Sequence, residues 1–154
     1  MSTAARATTA GVVSRAASGA LAGLVGGVVF AMLMAMTGML PMVGMLIGAG
    51  NAFAGFIVHL VNSAIIGAIF GMLAYGIADK IGPVLGAGMA YGAVWWVLGA
   101  LVIMPLWLSL TADPMMRGMV LKIGTTQWMS LMGHLIFGLV TAAVLYGLRR
   151  RARS

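Results

Sequence analysis

The charges of this chain are confined to a few short places, and everything between them is apolar. No Asp, Glu, Lys or Arg occurs between Arg15 and Asp79, between Lys80 and Asp113, or between Lys122 and Arg149. A membrane-spanning helix needs about 20 predominantly apolar residues. The last two uncharged stretches each hold one such helix plus a loop, and the first holds two. The pattern predicts helices over Ser18–Leu40, Ala52–Ala78, Pro83–Leu110 and Trp128–Leu148. The expected fold class is therefore an all-α membrane protein, a four-transmembrane-helix bundle. A soluble bundle is excluded because 62% of the residues are hydrophobic and 7% charged, so nothing amphipathic is left to cover buried helices.

Lys and Arg set the expected orientation. Arg6, Arg15, Lys80 and the tail arginines Arg149, Arg150, Arg151 and Arg153 would share one side, with Arg117 and Lys122 on the other. By the positive-inside rule, both ends face the cytoplasm. This divides the chain into an N-terminal segment 1–17, a transmembrane domain 18–148 and a basic tail 149–154. Aromatic residues agree, with Trp107 and Trp128 near the outer interface and Tyr75 and Tyr146 near the inner one. Arginines before an apolar stretch, and Ala52-Phe53-Ala54, resemble a cleaved signal, but the apolar stretch far exceeds the core of a signal peptide. The first helix is read as uncleaved. An acid-free start with Ser, Thr and Arg also has the composition of a mitochondrial transit peptide; the bacterial inner membrane is the preferred location. The formal charge of +7 sits at chain ends and in short loops, which suits anionic lipid headgroups rather than nucleic acid.

Internal similarity suggests a duplicated two-helix unit, repeated over 18–78 and 83–148. Gly23 and Gly27 align with Gly88 and Gly92, Pro41 with Pro105 after a one-residue gap, and His59-Leu60 with His134-Leu135. Each unit has two spans, so the copies would be parallel, related by an axis near the membrane normal. Short outer segments join the helices of each unit. One runs from Asp113-Pro114 to Gly124 and sets Met115, Met116, Met119, Val120 and Ile123 on one face, as in a short interfacial helix. Its counterpart, Pro41 to Gly50, is uncharged and is expected to dip further into the membrane.

Small residues recur at every fourth position, where they share a helix face. The first helix has Gly19, Gly23, Gly27, Ala31 and Ala35. The second has Gly55, His59, Ser63, Gly67 and Gly71, and the fourth Ser130, His134, Gly138, Ala142 and Tyr146. These are the expected helix contacts, with small side chains letting backbones approach. The two histidines fall within them, about 9–12 Å below the outer helix ends at 1.5 Å per residue.

Ionisable groups inside a span are functional candidates. One reading makes His59 and His134 the two axial ligands of a b-type haem, with Trp95 or Trp96 packed on the macrocycle; two chlorophyll-type pigments are a variant. The other has both histidines hydrogen-bonded across a tight helix contact, to each other, to Asn62 or to a backbone carbonyl. Methionines offer a third candidate. Met39, Met42 and Met45 in one outer segment and Met115, Met116 and Met119 in the other would present thioethers to Cu(I), although Met also serves as flexible apolar filler. Catalysis has little support, because Asp79 and Asp113 lie in loops on opposite sides and no Cys is present. Transport is weakly supported, with no carboxylate or cation in a span and no broken helix evident.

The hydrophobic pattern, together with Gly55-Phe56-Ile57-Val58-His59-Leu60 and Gly133-His134-Leu135-Ile136-Phe137-Gly138, resembles small, uncharacterised four-span bacterial membrane proteins. That resemblance implies no activity. The expectation is a non-catalytic accessory, structural or assembly subunit of a larger membrane complex, for example an energy-transducing one. Its partners would be membrane lipids, other subunits or a second copy. The alternative is a bis-histidine haem protein carrying electrons.

Overall fold

The computed structural model of the protein describes residues 3–154, with side chains from Gly11 onward. The side chain of Arg6, counted among the inner cations, therefore lies outside the described residues. The helices are α1 (Thr3–Met36), α2 (Leu40–Gly44), α3 (Ala52–Ala74), α4 (Ile81–Trp95), α5 (Met104–Thr111) and α6 (Thr125–Arg151). Single 3-10 turns occupy Met45–Ile47 and Tyr75–Ile77, a longer 3-10 helix occupies Pro114–Met119, and a π-helical stretch, Trp96–Ile103, joins α4 to α5. No strand occurs among the described residues. Four segments are long and apolar enough to cross a membrane: Gly11–Met36, Ala52–Ile77, Ile81–Thr111 and Thr125–Arg151. The chain is a multi-pass membrane protein.

The first helix stops four residues before the expected Leu40. Gly38 takes a left-handed φ of +69°. Its N–H reaches Ala35 O at 3.3 Å and that of Met39 reaches Met34 O at 2.9 Å, closing the helix end as a Schellman motif. The Thr37 hydroxyl donates to Leu33 O at 3.0 Å. Pro41 then opens α2, which buries Leu40, Val43 and Gly44. Asn51 starts α3 by accepting the Ala54 N–H at 2.9 Å. At α6 the helix begins three residues earlier than expected, where the Gln127 side chain accepts the Gly124 N–H at 3.0 Å.

The four spans touch in the order α3, α1, α6, α4, and the ring is not closed, because α3 and α4 barely meet. The close contacts follow glycine. A Cβ added to Gly67 would lie 2.6 Å from Gly23 Cα, and one on Gly71 would lie 2.6 Å from Gly19 Cα. Across the α4–α6 contact, a Cβ on Gly88 would lie 2.6 Å from Ala142 Cβ, and one on Gly138 would lie 2.8 Å from the Gly88 carbonyl carbon. Gly55 makes the same kind of approach to Leu40 of α2. Such separations are open only to residues without side chains, which replace hydrophobic driving force inside lipid by backbone contact. Helix α1 presents a second face to α6, with Phe30 against Gly133 and Gly26 against Thr141 and Phe137.

The third span runs without a break from Ile81 to Thr111, as expected over Pro83–Leu110, but its middle, Trp96–Ile103, is π-helical rather than α-helical. Pro105 has no N–H to give to the helix ladder. The carbonyl of Leu101, about one turn before it, accepts from the Leu121 N–H at 3.0 Å, delivered by the 113–124 segment folding back. Leu121 pays a conformational cost for this, at φ +56° with its side chain exposed. The outer segment accordingly differs from an amphipathic α-helix. Asp113 accepts the Met115 N–H at 2.9 Å to start a 3-10 turn, which ends at Met119. Val120 then turns out of the helix with ψ 126°, which carries Leu121 to its partner.

At the other end of the bundle, Arg15 and Arg149 both stand over the Tyr75 ring, 5.7 and 5.0 Å from its centroid. Asp79 pairs with Arg149 at 3.7 Å and with Arg153 at 3.4 Å. The lower part of α1, the turn between α3 and α4 and the end of α6 therefore share one end. A hydrogen bond from its own backbone, aided by the two guanidiniums, holds the Asp79 carboxyl below the usual carboxylate range; partial desolvation opposes the shift.

Candidate intramembrane cavity

The gap between α3 and the third span becomes a cavity of about 530 Å³ in the half of the bundle away from Arg15, Asp79 and Arg149. It is pinned at both ends by aromatic side chains that hydrogen-bond to carbonyls across it. Towards the end that holds Asp79, Tyr91 of α4 donates to Ile66 O of α3 at 2.7 Å and packs on Phe70. At the opposite end, Trp107 of α5 donates to Leu46 O at 2.9 Å. Helices α3 and α4 otherwise make few contacts. The π-helical stretch supplies Gly99, Ala100 and Ile103 to one wall, and its two small residues leave that wall hollow. A wide helical turn of this kind is frequent at functional sites.

The lining is mostly apolar, with Phe30 and Met34 from α1, Val43 and Leu46 from the first outer segment, and Trp95, Met104 and Phe137 elsewhere. A small polar set converges on it: His59, Asn62 and Ser63 from α3, and Thr126, Gln127, Ser130 and His134 from α6. Volume, apolar walls and a few placed polar groups are the usual make-up of a small-molecule site.

The two histidines are oriented by backbone carbonyls. His59 sets Nε2 3.0 Å from Gly27 O, across the α1–α3 contact. His134 sets Nδ1 2.8 Å from Ser130 O, one turn back on its own helix, with Ser130 Oγ at 3.4 Å. Of the hydrogen-bonding partners expected for them, a backbone carbonyl serves both; neither bonds the other or Asn62. Phe30 packs edge-on against both imidazoles, its centroid 5.1 Å from His59 and 4.9 Å from His134. A haem ligated by both rings would have to share that space with Phe30, and His59 Nε2 is already committed to Gly27. The residues present do not suit paired axial ligation. Trp96 is buried away from the cavity, stacked on Trp128 at 6.0 Å and donating to Gln127 O at 3.0 Å.

The compared proteins add no relative. No protein-family model, curated protein or solved structure matches this chain.

Other expected site residues fall elsewhere. Gly55, Ser63, Gly67 and Gly71 are buried on α3, and Ser130, Gly138 and Ala142 on α6. Ser63 and Ser130 also line the cavity, so packing face and cavity wall overlap at the level of the histidines. Among the outer methionines, Met39 and Met42 line the cavity, whereas Met115 and Met119 are exposed. Among the described residues, no group of three or more His, Cys, Asp or Glu is placed to hold a metal ion. Sequence reasoning missed Phe30, Tyr91, Gly99 and Trp107. Gly99 and Pro105 within one span were the signal that its helix would be irregular.

Proposed function

We propose that this chain is a small non-catalytic integral membrane protein that holds a lipophilic molecule in the cleft between α3 and the third span, as an accessory subunit of a larger complex in a bacterial inner membrane. The observation that carries the reading is the 530 Å³ cavity, apolar over most of its wall and edged by convergent histidine, serine and amide side chains. Asn62 adds to it. Its side chain is exposed within a span and has no hydrogen-bond partner among the described residues, a costly position in hydrocarbon unless something polar is bound beside it. Little of the chain projects beyond the four spans, so other subunits would meet its lipid-facing sides, short loops and tail.

The fold is best understood as two copies of a helix pair. Gly23 meets Ser63 and Gly67 as Gly88 meets Gly138 and Ala142, and the alignment of His59 with His134 sets Ser63 on Gly138 and Gly67 on Ala142. The cleft then lies between the second helix of one copy and the first of the next. Both chain ends face the cytoplasm, which a reporter fused after Ser154 tests: exposure of that reporter on the outside reverses the orientation. The tail arginines around Tyr146 and Asp79 would then meet anionic headgroups of the inner leaflet.

Native mass spectrometry of protein released from mild detergent tests the cleft. The wild type should retain one lipophilic molecule, and Gly99→Trp, which places an indole in the hollow wall, should lose it while remaining folded. Equal retention by both proteins, or none by the wild type, would refute the reading. A sharp visible haem absorption in the same preparation, lost in either His→Ala variant, would favour the electron-transfer alternative instead.

A further inference from the structure

The geometry points to a ligand headed by a hydroxyl group, an O–H donor on an apolar body such as a long-chain alcohol or a quinol, rather than a carbonyl-headed lipophile. This inference rests on the cleft being a binding site. It follows from which imidazole nitrogens are already occupied.

A carbonyl oxygen can only accept, so the ring nitrogen facing it must carry the hydrogen. His59 therefore has its hydrogen on Nε2, donated to Gly27 O, and His134 has its hydrogen on Nδ1, donated to Ser130 O. A neutral imidazole has one N–H and one lone pair. The nitrogens left over, Nδ1 of His59 and Nε2 of His134, are bare acceptors. Neither has a partner among the described residues, and neither is sealed in, since the one fully enclosed side-chain polar atom without a partner there is Thr141 Oγ1. Both rings line the cavity.

The site thus offers two fixed acceptors of opposite ring position, held by two different helices, to whatever enters from the lipid. A ketone, ester or ether presents only lone pairs to them and leaves both unpaired. A hydroxyl donates to one imidazole, and its oxygen accepts from the Asn62 amide or a serine hydroxyl in the same cavity. The oxidised and reduced forms of a quinone-type carrier would be told apart in the same way.

Tryptophan fluorescence reads this directly, because Trp95 and Trp107 line the cavity. The full-length protein in lipid nanodiscs is titrated with a chain-brominated octadecanol, its methyl ether and the corresponding aldehyde. A Trp95→Phe/Trp107→Phe protein reports quenching of Trp96 and Trp128 by general partitioning and is subtracted. The alcohol should half-saturate at about two- to tenfold lower mole fraction than the ether or the aldehyde, the ratio expected for one net hydrogen bond. His59→Phe/His134→Phe, which removes both acceptors and keeps two aromatic rings, should bring the three probes together. Equal binding of all three to the wild type, or preference for the aldehyde, overturns the donor rule and leaves the cleft a lipophile site. If no probe saturates, the cleft reading falls and this inference with it. The wild-type comparison decides the matter even if the double histidine variant fails to fold.

Discussion

Gly67→Ala is the sharpest test of the packing, because one methyl group is added where the structure leaves no room. The new Cβ would lie 2.6 Å from Gly23 Cα, and also against the Gly19 carbonyl oxygen. Carbon atoms in contact sit about 3.5–4.0 Å apart, so α1 and α3 must separate locally by about 1 Å, which forfeits a quarter to a half of each neighbouring contact. Both obstructing atoms are backbone and cannot rotate away. Overpacking of this kind costs about 1–3 kcal/mol. Replacing a helical glycine by alanine returns up to about 1 kcal/mol of helix propensity. The net expectation is destabilisation by about 1–2 kcal/mol. Gly86→Ala provides the control, since Gly86 is helical and exposed and a Cβ there meets nothing within 4 Å. It should be neutral or stabilising. Reversible unfolding in mixed micelles, followed by circular dichroism, measures both on one scale. If the two variants shift the midpoint alike, the α1–α3 contact is not the close backbone approach described, and the role given to its glycines is wrong.

Substitutions at three other positions probe particular contacts. Thr141 has a hydroxyl that is enclosed and without a partner, so Thr141→Val should raise stability by about 1 kcal/mol in the same assay; a loss would mean that the hydroxyl is in fact bonded. Leu121→Gly should gain up to about 1 kcal/mol by removing a side chain from the left-handed region, whereas Leu121→Ala should gain nothing; equal effects would argue against strain at φ +56°. Asp79 has a carboxyl pKa lowered in the folded protein, so its contribution is present above the ordinary carboxylate value and lost as pH falls through the lowered one. Asp79→Asn should therefore flatten that acid limb of the stability–pH curve while changing little below it, and an unchanged limb would show that the backbone hydrogen bond and the contacts with Arg149 and Arg153 together contribute nothing measurable.

What could be read from the chain alone was what the bilayer dictates. Uncharged stretches of fixed minimum length must be helices, because hydrocarbon offers no other partner for the backbone, and this determined four spans near their observed places. The fourfold spacing of Gly67, Gly71, Gly138 and Ala142 likewise marked the faces that α1 and α4 would meet, since only small residues allow that approach. Ends were less legible where a local rule was passed over: Gly38 with Pro41 beyond it already specifies the stop at Met36. Nothing local, however, joins Leu121 to Leu101, or brings Phe30 of α1 between the environments of His59 and His134. The matched histidines suggested a shared ligand, but periodicity fixes only the face and depth of a side chain. Which nitrogen each ring spends on a carbonyl, and whether an aromatic ring stands beside it, depend on helices distant in sequence. The cavity has the same origin: it lies where α3 and the third span make few contacts, and how closely two helices approach is a property of the assembled bundle alone.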